Sequence, residues 1–177
     1  MQFEFGLSGA WWFSLIYIIF AYGLWFIFPK FVQIRFSKTP EIKYVNTIYK
    51  YSYILLLLSG IFIPFEINFN FYIGIVLYIC GLVIFIMAIF YFSINEIDLP
   101  VSSGIYKYSR HPVYLGFFIM WLGVAVATFH ILILILILIL GFLSYQIALG
   151  EEKQCLKLYG NDYVEYKSKV YLFFGRK

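Results

Sequence analysis

A short polar segment opens the chain's fourth apolar stretch and contains residue types that bind anions. The segment, YSRHPVYLGFF at residues 108–118, places Arg110 and His111 directly before Pro112. Proline is favoured in the first turn of a helix, where its missing N–H group costs nothing. A helix that begins at Pro112 would direct free backbone N–H groups towards a carboxylate or phosphate, with two cationic side chains beside them.

A second polar segment, EEKQCLKLYGNDYVEYKSKV at residues 151–170, begins with the carboxylates Glu151 and Glu152. These acidic groups could hold a positively charged ligand atom. The segment predicts a short helix, a turn at Gly160 and Asn161, and a second helical piece. Taken singly, either glutamate could simply complement the basic residues of this tail.

The composition predicts that these segments are held by a membrane protein. Of the 177 residues, 63% are hydrophobic and only 12% are charged, more apolar surface than a soluble domain of this size could cover. The N-terminus MQFEFGLSGA lacks the basic start of a signal peptide. Cys80 and Cys155 are too few for a disulfide framework, so we expect free thiols. We expect no metal site and no nucleic-acid partner.

Five apolar stretches are each long enough, or nearly so, to cross a bilayer as a helix. The alternating run ILILILILIL at 131–140 also predicts a helix, because a lone strand in lipid leaves its backbone unsatisfied. The chain is therefore expected to be one all-α integral membrane domain, residues 1–177, with five transmembrane helices and a short cytoplasmic helical tail. The predicted spans are residues 11–28, 51–65, 71–92, 112–128 and 130–149.

The positions of the basic residues predict the orientation of the chain. All 13 Lys and Arg residues lie in 30–50, in the loop that holds Lys107 and Arg110, or in the tail from Lys153 onward. Five spans put these three places on one side, which the positive-inside rule identifies as the cytoplasm. The N-terminus is then outside and the C-terminus cytoplasmic. Short loops favour a prokaryotic inner membrane. The net charge of +4 is explained by the basic residues that set the orientation of the chain.

The last two spans are joined by only a few residues, so they should form an antiparallel hairpin. Arg110 and His111 at the start of one span would then lie close to Glu151 and Glu152 at the end of the other. Taken alone, Arg110 would be a topology anchor and the nearby tyrosines an interfacial aromatic belt. Together they describe a pocket for a zwitterionic, amino-acid-like ligand with a flat base, and S-adenosylmethionine has all of these parts.

The two segments resemble those of a known family. GIYKYSRHPVYLG at residues 104–116 is similar to the GxYxxxRHPxYxG signature of the isoprenylcysteine carboxyl methyltransferases and related phospholipid methyltransferases. The segment at 151–170 resembles that family's EExxLxxxFGxxYxxYxxxV pattern, although Cys155 and Tyr171 depart from the residues common in the family. The resemblance covers about residues 99–170.

The resemblance implies a membrane methyltransferase that binds S-adenosylmethionine at its cytoplasmic face, through segments 95–114 and 151–170. It implies catalytic roles for Arg110, which would organise the site or the acceptor carboxylate, and for Glu151. The cofactor-binding residues that it implies are Asp98, Leu99, Pro100, Val101, Tyr106, His111, Tyr114, Glu151 and Glu152.

The methyl acceptor stays open at this level. The resemblance implies a lipophilic acceptor, either a prenylated cysteine or a lipid, and the reaction most like it is methylation of an isoprenylcysteine carboxylate. Membrane lipids are the other expected partners. The prenylcysteine enzymes tend to carry an Arg one helical turn before the first glutamate, where this chain has Ile147. N-methylation of a phospholipid amine and S-methylation of a lipophilic thiol are alternatives. A sterol-type reductase is disfavoured by the small number of spans, and a non-catalytic scaffold or ligand binder is the alternative of another class.

Overall fold

The computed structural model describes residues 9–27, 43–96 and 98–177, and within them the chain is all-helical, as predicted. A turn of 3₁₀ helix, Gly104–Lys107, precedes the fourth α-helix. The α-helices are α1 (Trp11–Ile27), α2 (Lys43–Phe62), α3 (Phe69–Ile94), α4 (Pro112–Thr128) and α5 (Ile131–Lys169).

The predicted boundaries hold best where a helix has a clear start signal. α4 begins at Pro112 and ends at Thr128, as expected. α2 begins eight residues before the predicted position 51. The predicted turn at Gly160 is a kink with φ 52° and ψ −124° inside α5, a conformation that glycine adopts without strain. Phe28, the predicted end of the first span, lies outside the described residues.

Three of the described helices are long and apolar enough to cross a membrane, namely α2, α3 and the apolar part of α5. The helices α1 and α4 are apolar but shorter, at 17 residues each. By length and composition, these helices are those of an integral membrane protein. The number of spans and the side on which each terminus lies stay predictions. Three of the basic residues that carry the orientation argument, Lys30, Arg35 and Lys38, lie outside the described residues.

Helices α3 and α4 approach each other closely because glycines face one another along the interface. A Cβ atom at Gly74 would lie 2.5 Å from the carbonyl oxygen of Gly123, and one at Gly116 would lie 2.6 Å from the Phe85 nitrogen. These distances are too short for real side chains. In lipid, where water does not drive helices together, such small residues permit the close backbone packing that holds helices together. This pair forms the centre of the bundle.

We expect Gly81→Ala to destabilise the protein, because the added methyl would overlap the backbone of Met120 and lie 2.7 Å from the Gly116 carbonyl oxygen. Overpacking of this kind costs roughly 1–3 kcal/mol or more. Gly23→Ala is the matched control, because nothing lies within 4 Å of its added Cβ. Thermal unfolding in detergent should show a lower midpoint for Gly81→Ala alone. Equal midpoints for both variants would contradict the proposed helix contact.

The chain reverses direction between α4 and α5 over two residues. Phe129 ends α4 in the left-handed conformation with φ 47°, and the His130 side chain accepts a hydrogen bond from the Leu132 N–H at the start of α5. The hairpin therefore places Pro112 at the same end of the bundle as the middle of α5. The helical piece after Gly160 continues into an extended tail, in which Val170 pairs with Arg176.

Candidate active site

Glu152 of α5 is buried and is surrounded by positive charge. Its Oε1 atom accepts a hydrogen bond from Arg110 Nε at 2.6 Å and lies 2.5 Å from Arg110 Nη2. Its Oε2 atom lies 2.7 Å from Lys167 Nζ, which the kink at Gly160 brings back towards the membrane part of the helix. The α4–α5 hairpin thus brings Arg110 and Glu152 together, and the tail adds a second cation.

The charge state of Glu152 follows from two opposing effects. Burial disfavours the ionised form and would raise the pKa of this carboxyl group. Hydrogen bonds and charge from Lys167 and Arg110 outweigh burial, so the pKa of Glu152 is lower than that of an ordinary glutamate. Glu152 is therefore a carboxylate at neutral pH, with both oxygens occupied by cations of this chain.

Arg110 is as fully engaged as its partner. Besides Glu152, its Nη1 atom donates to the carbonyl oxygens of Val170 and, at 3.4 Å, of Lys167. Its backbone N–H donates to the Tyr171 carbonyl at 3.2 Å. The guanidinium joins the start of α4, the middle of α5 and the tail.

The extended tail lies against the two residues that precede α4. The N–H groups of Arg110 and His111 donate to the carbonyl oxygens of Tyr171 and Leu172, at 3.2 and 3.1 Å, and are satisfied as buried N–H groups require. These two donors are therefore not available to an anion. The predicted anion site uses instead the N–H groups of the first turn of α4, which begins at Pro112, and it stays a prediction.

Glu151, in contrast, has no lysine or arginine partner among the described residues. Its Oε1 atom accepts a hydrogen bond from the Tyr114 hydroxyl at 2.8 Å, and its Oε2 atom lies 3.2 Å from His111 Nδ1. The rings of His111 and Tyr114 stack with 6.0 Å between centroids. We call Glu151, His111 and Tyr114 the acidic triplet. Its carboxylate is oriented by two aromatic side chains and keeps capacity for a positively charged ligand.

One ring nitrogen of the acidic triplet is buried without a partner. His111 Nε2 is enclosed and makes no hydrogen bond with the described residues. Glu152 Oε1 lies 4.0 Å from this nitrogen, too far for a hydrogen bond. Because Nδ1 faces the Glu151 carboxylate, that atom carries the proton most readily, and Nε2 is left to meet a ligand. A buried polar atom without a partner is uncommon in folded proteins, and contact with a bound ligand is one explanation for it.

The other predicted binding residues have different surroundings. Tyr106 and Val101 are buried in a small cluster with Ala88 and three residues of the tail. Asp98 and Leu99 are exposed to solvent, and Pro100 is half-buried. Asp98 takes part in no hydrogen bond or ion pair within the described ranges. No group of His, Cys, Asp and Glu residues within those ranges could hold a metal ion.

The sequence analysis did not indicate the contacts that several residues of this site make. Tyr166 donates a hydrogen bond to the Tyr106 carbonyl at 2.7 Å and fixes the tail against the loop. Tyr49 of α2 lies close to Ser144 and to the charge of Glu151. Lys167 was one of several similar lysines in the sequence. Only the Gly160 turn could have indicated that the tail folds back, and its direction could not be read from it.

Comparison with known proteins relates this geometry to a family. Residues 55–162 match the family model described as phospholipid methyltransferase. The match includes Arg110, the acidic triplet and Glu152, and ends before Lys167. No solved structure matches the chain.

Three curated relatives are similar to part of the chain. Protein-S-isoprenylcysteine O-methyltransferase of Schizosaccharomyces pombe is 37% identical over 78 residues, which are 43% of this chain and 33% of the relative. The protein of the same name from Saccharomyces cerevisiae is 38% identical over 72 residues, 40% of this chain and 30% of the relative. Methanethiol S-methyltransferase 1 of Bradyrhizobium diazoefficiens is 37% identical over 67 residues, which are 37% of this chain and 22% of the relative. The chain thus spans a third or less of each relative's length.

Proposed function

Because this chain belongs to the phospholipid methyltransferase family, we propose that it transfers a methyl group from S-adenosylmethionine to a lipophilic acceptor, at the cytoplasmic face of a membrane. The observation that carries this proposal is the acidic triplet. Within the described residues, its Glu151 carboxylate has no lysine or arginine partner, and its His111 Nε2 atom is buried without a hydrogen bond.

The acidic triplet fits the charged end of S-adenosylmethionine. Glu151 offers a carboxylate to a group with a positive charge, and the Tyr114 hydroxyl holds one carboxylate oxygen in place at 2.8 Å. His111 offers one buried ring nitrogen and a flat face. Arg110 and Glu152 satisfy each other, so their contribution is to position the triplet rather than to touch a ligand. Of the two proposed functions of Arg110, organising the site is the one that these contacts favour.

The reaction needs little acid–base chemistry from the chain. When bound, S-adenosylmethionine supplies a methyl group on a positively charged sulfur. A carboxylate or thiolate acceptor is already nucleophilic, so the chain contributes alignment and exclusion of water. An amine acceptor must first lose a proton, and Glu151 or His111 would accept it.

The acceptor is proposed to be most like an isoprenylcysteine, because two of the relatives are named for that substrate. A lipophilic thiol is the second candidate. The third relative is named as a thiol S-methyltransferase, and Ile147 offers no positive charge to an acceptor carboxylate. The proposed orientation, with the site facing the cytoplasm, rests on the positive-inside rule. The proposed location in a prokaryotic inner membrane rests on the short loops.

Incubation with radiolabelled S-adenosylmethionine and three acceptors tests this function. We expect label in farnesylated cysteine, released by mild alkali because a methyl ester hydrolyses and a thioether or an N-methyl group does not. Alkali-stable label in a long-chain thiol or in phosphatidylethanolamine would instead assign S- or N-methylation. Binding of S-adenosylmethionine without transfer to any acceptor would overturn the enzymatic proposal in favour of a non-catalytic binder.

A further inference from the structure

A groove of about 760 Å³ lies along α5 and is bordered by Glu152. It is bordered by the last apolar residues of the helix and by the first polar ones, and the returning tail contributes Lys167. Arg110 and the triplet do not line it. The residues that line it are Gln146, Leu149, Gly150, Glu152, Lys153, Gln154, Leu156, Lys157, Leu158 and Lys167.

The groove carries a net positive charge. Lys153 and Lys157 are exposed and make no ion pair with any residue in the described ranges. Lys167 pairs with one oxygen of Glu152, but that carboxylate also pairs with Arg110 through its other oxygen. The single acidic side chain in the groove is thus already neutralised, and two ammonium groups remain for an anion.

The groove continues the face of α5 that would meet lipid. Leu138 and Phe142 are 55% and 62% exposed, and Leu149 and Lys153 follow at positions that are seven and eleven residues beyond Phe142. Residues at such spacings lie on one side of a helix. An acyl chain packed along Leu138 and Phe142 would therefore place its headgroup beside Lys153.

We propose that this groove binds the headgroup of an anionic phospholipid, with its phosphate at Lys153 and Lys157 and its acyl chains along the exposed face of α5. Lysine heads near the end of a spanning helix are suited to a lipid phosphate. The acidic triplet does not line this groove, so the lipid is a bound membrane component rather than the methyl acceptor. The inference does not rest on the proposed methyl transfer.

The test compares phosphatidylglycerol with phosphatidylcholine in detergent, by native mass spectrometry of the purified full chain. We expect preferential retention of phosphatidylglycerol, and roughly thirtyfold weaker retention by the Lys153→Gln/Lys157→Gln variant. Lys107→Gln/Lys169→Gln is the control, because it removes the same charge from exposed positions outside the groove. It should retain the lipid as the parent protein does.

Two results would overturn the proposal. One is equal loss of phosphatidylglycerol in both double variants, which would indicate general attraction to positive charge. The other is displacement of the lipid by millimolar glycerol 3-phosphate, which would indicate a site for a soluble phosphate. The parent protein's unfolding midpoint serves as a second readout, since it should rise with phosphatidylglycerol and not with glycerol 3-phosphate.

Discussion

Glu151→Gln is expected to weaken binding of S-adenosylmethionine by roughly ten- to a hundredfold, the range for loss of a hydrogen bond to a charged group. The amide keeps one oxygen that can accept from the Tyr114 hydroxyl, so the shape of the acidic triplet should survive. What is lost is the negative charge that a positively charged ligand needs. Isothermal titration calorimetry of the purified protein measures the change directly.

The matched control is Glu165→Gln, which removes the same charge from an exposed position on the same tail. Among the described residues Glu165 pairs only with Lys169, one helical turn away at the surface, and such pairs contribute little to stability. Its binding isotherm should equal that of the parent protein. Unchanged binding in Glu151→Gln would show that the acidic triplet is not the cofactor site.

His111→Ala should weaken binding as well, for a different reason. The ring supplies the buried Nε2 atom that has no partner in the described chain, and it holds the second oxygen of Glu151 at 3.2 Å. Removing the ring therefore takes away one ligand contact and frees the carboxylate to rotate. If both His111→Ala and Glu151→Gln bind as the parent does, the assignment fails as a whole.

The sequence predicts the proximity of these residues but not their pairing. Pro112 and the two-residue join after Thr128 set the start of α4 and the hairpin, so the meeting of both polar segments follows. Glu151 and Glu152 look alike in the sequence, yet a helix turns by about 100° from one residue to the next. One carboxylate therefore faces Arg110 and the other faces His111 and Tyr114.

The path of the tail is the part that the sequence cannot supply. The kink at Gly160 decides that Lys167 returns to Glu152, and extended residues beyond Val170 then bond to the N–H groups of Arg110 and His111. These are backbone contacts across some sixty residues, which side-chain types do not specify. For that reason the sequence suggests that Arg110 can bind a ligand, whereas in the structure its guanidinium binds Glu152 and the tail carbonyls.

Arg110→Met should lower the stability of the protein more than it changes the chemistry of the site. Removing one partner of a buried ion pair costs about 3–5 kcal/mol, because the other charge is left uncompensated. In this variant Lys167 would be the one lysine or arginine still paired with Glu152 among the described residues, and the Val170 carbonyl would lose the hydrogen bond from Arg110. In a protein of this size that loss corresponds to a fall of about 6–20 °C in the unfolding midpoint. Lys169→Met, at an exposed position, should leave the midpoint within about 1 °C.

A double variant separates the positioning of the site from direct contact with the acceptor. If Arg110 acts through Glu152, then Arg110→Met/Glu152→Gln should be more stable than the sum of the single losses predicts, since the stranded charge is gone. If Arg110 instead binds the acceptor carboxylate, Arg110→Met should raise the acceptor KM with little change in midpoint, and the two stability losses should add. The contacts of Arg110, two to Glu152 and the rest to tail carbonyls, favour the first outcome, because a guanidinium so engaged has little capacity left for a substrate.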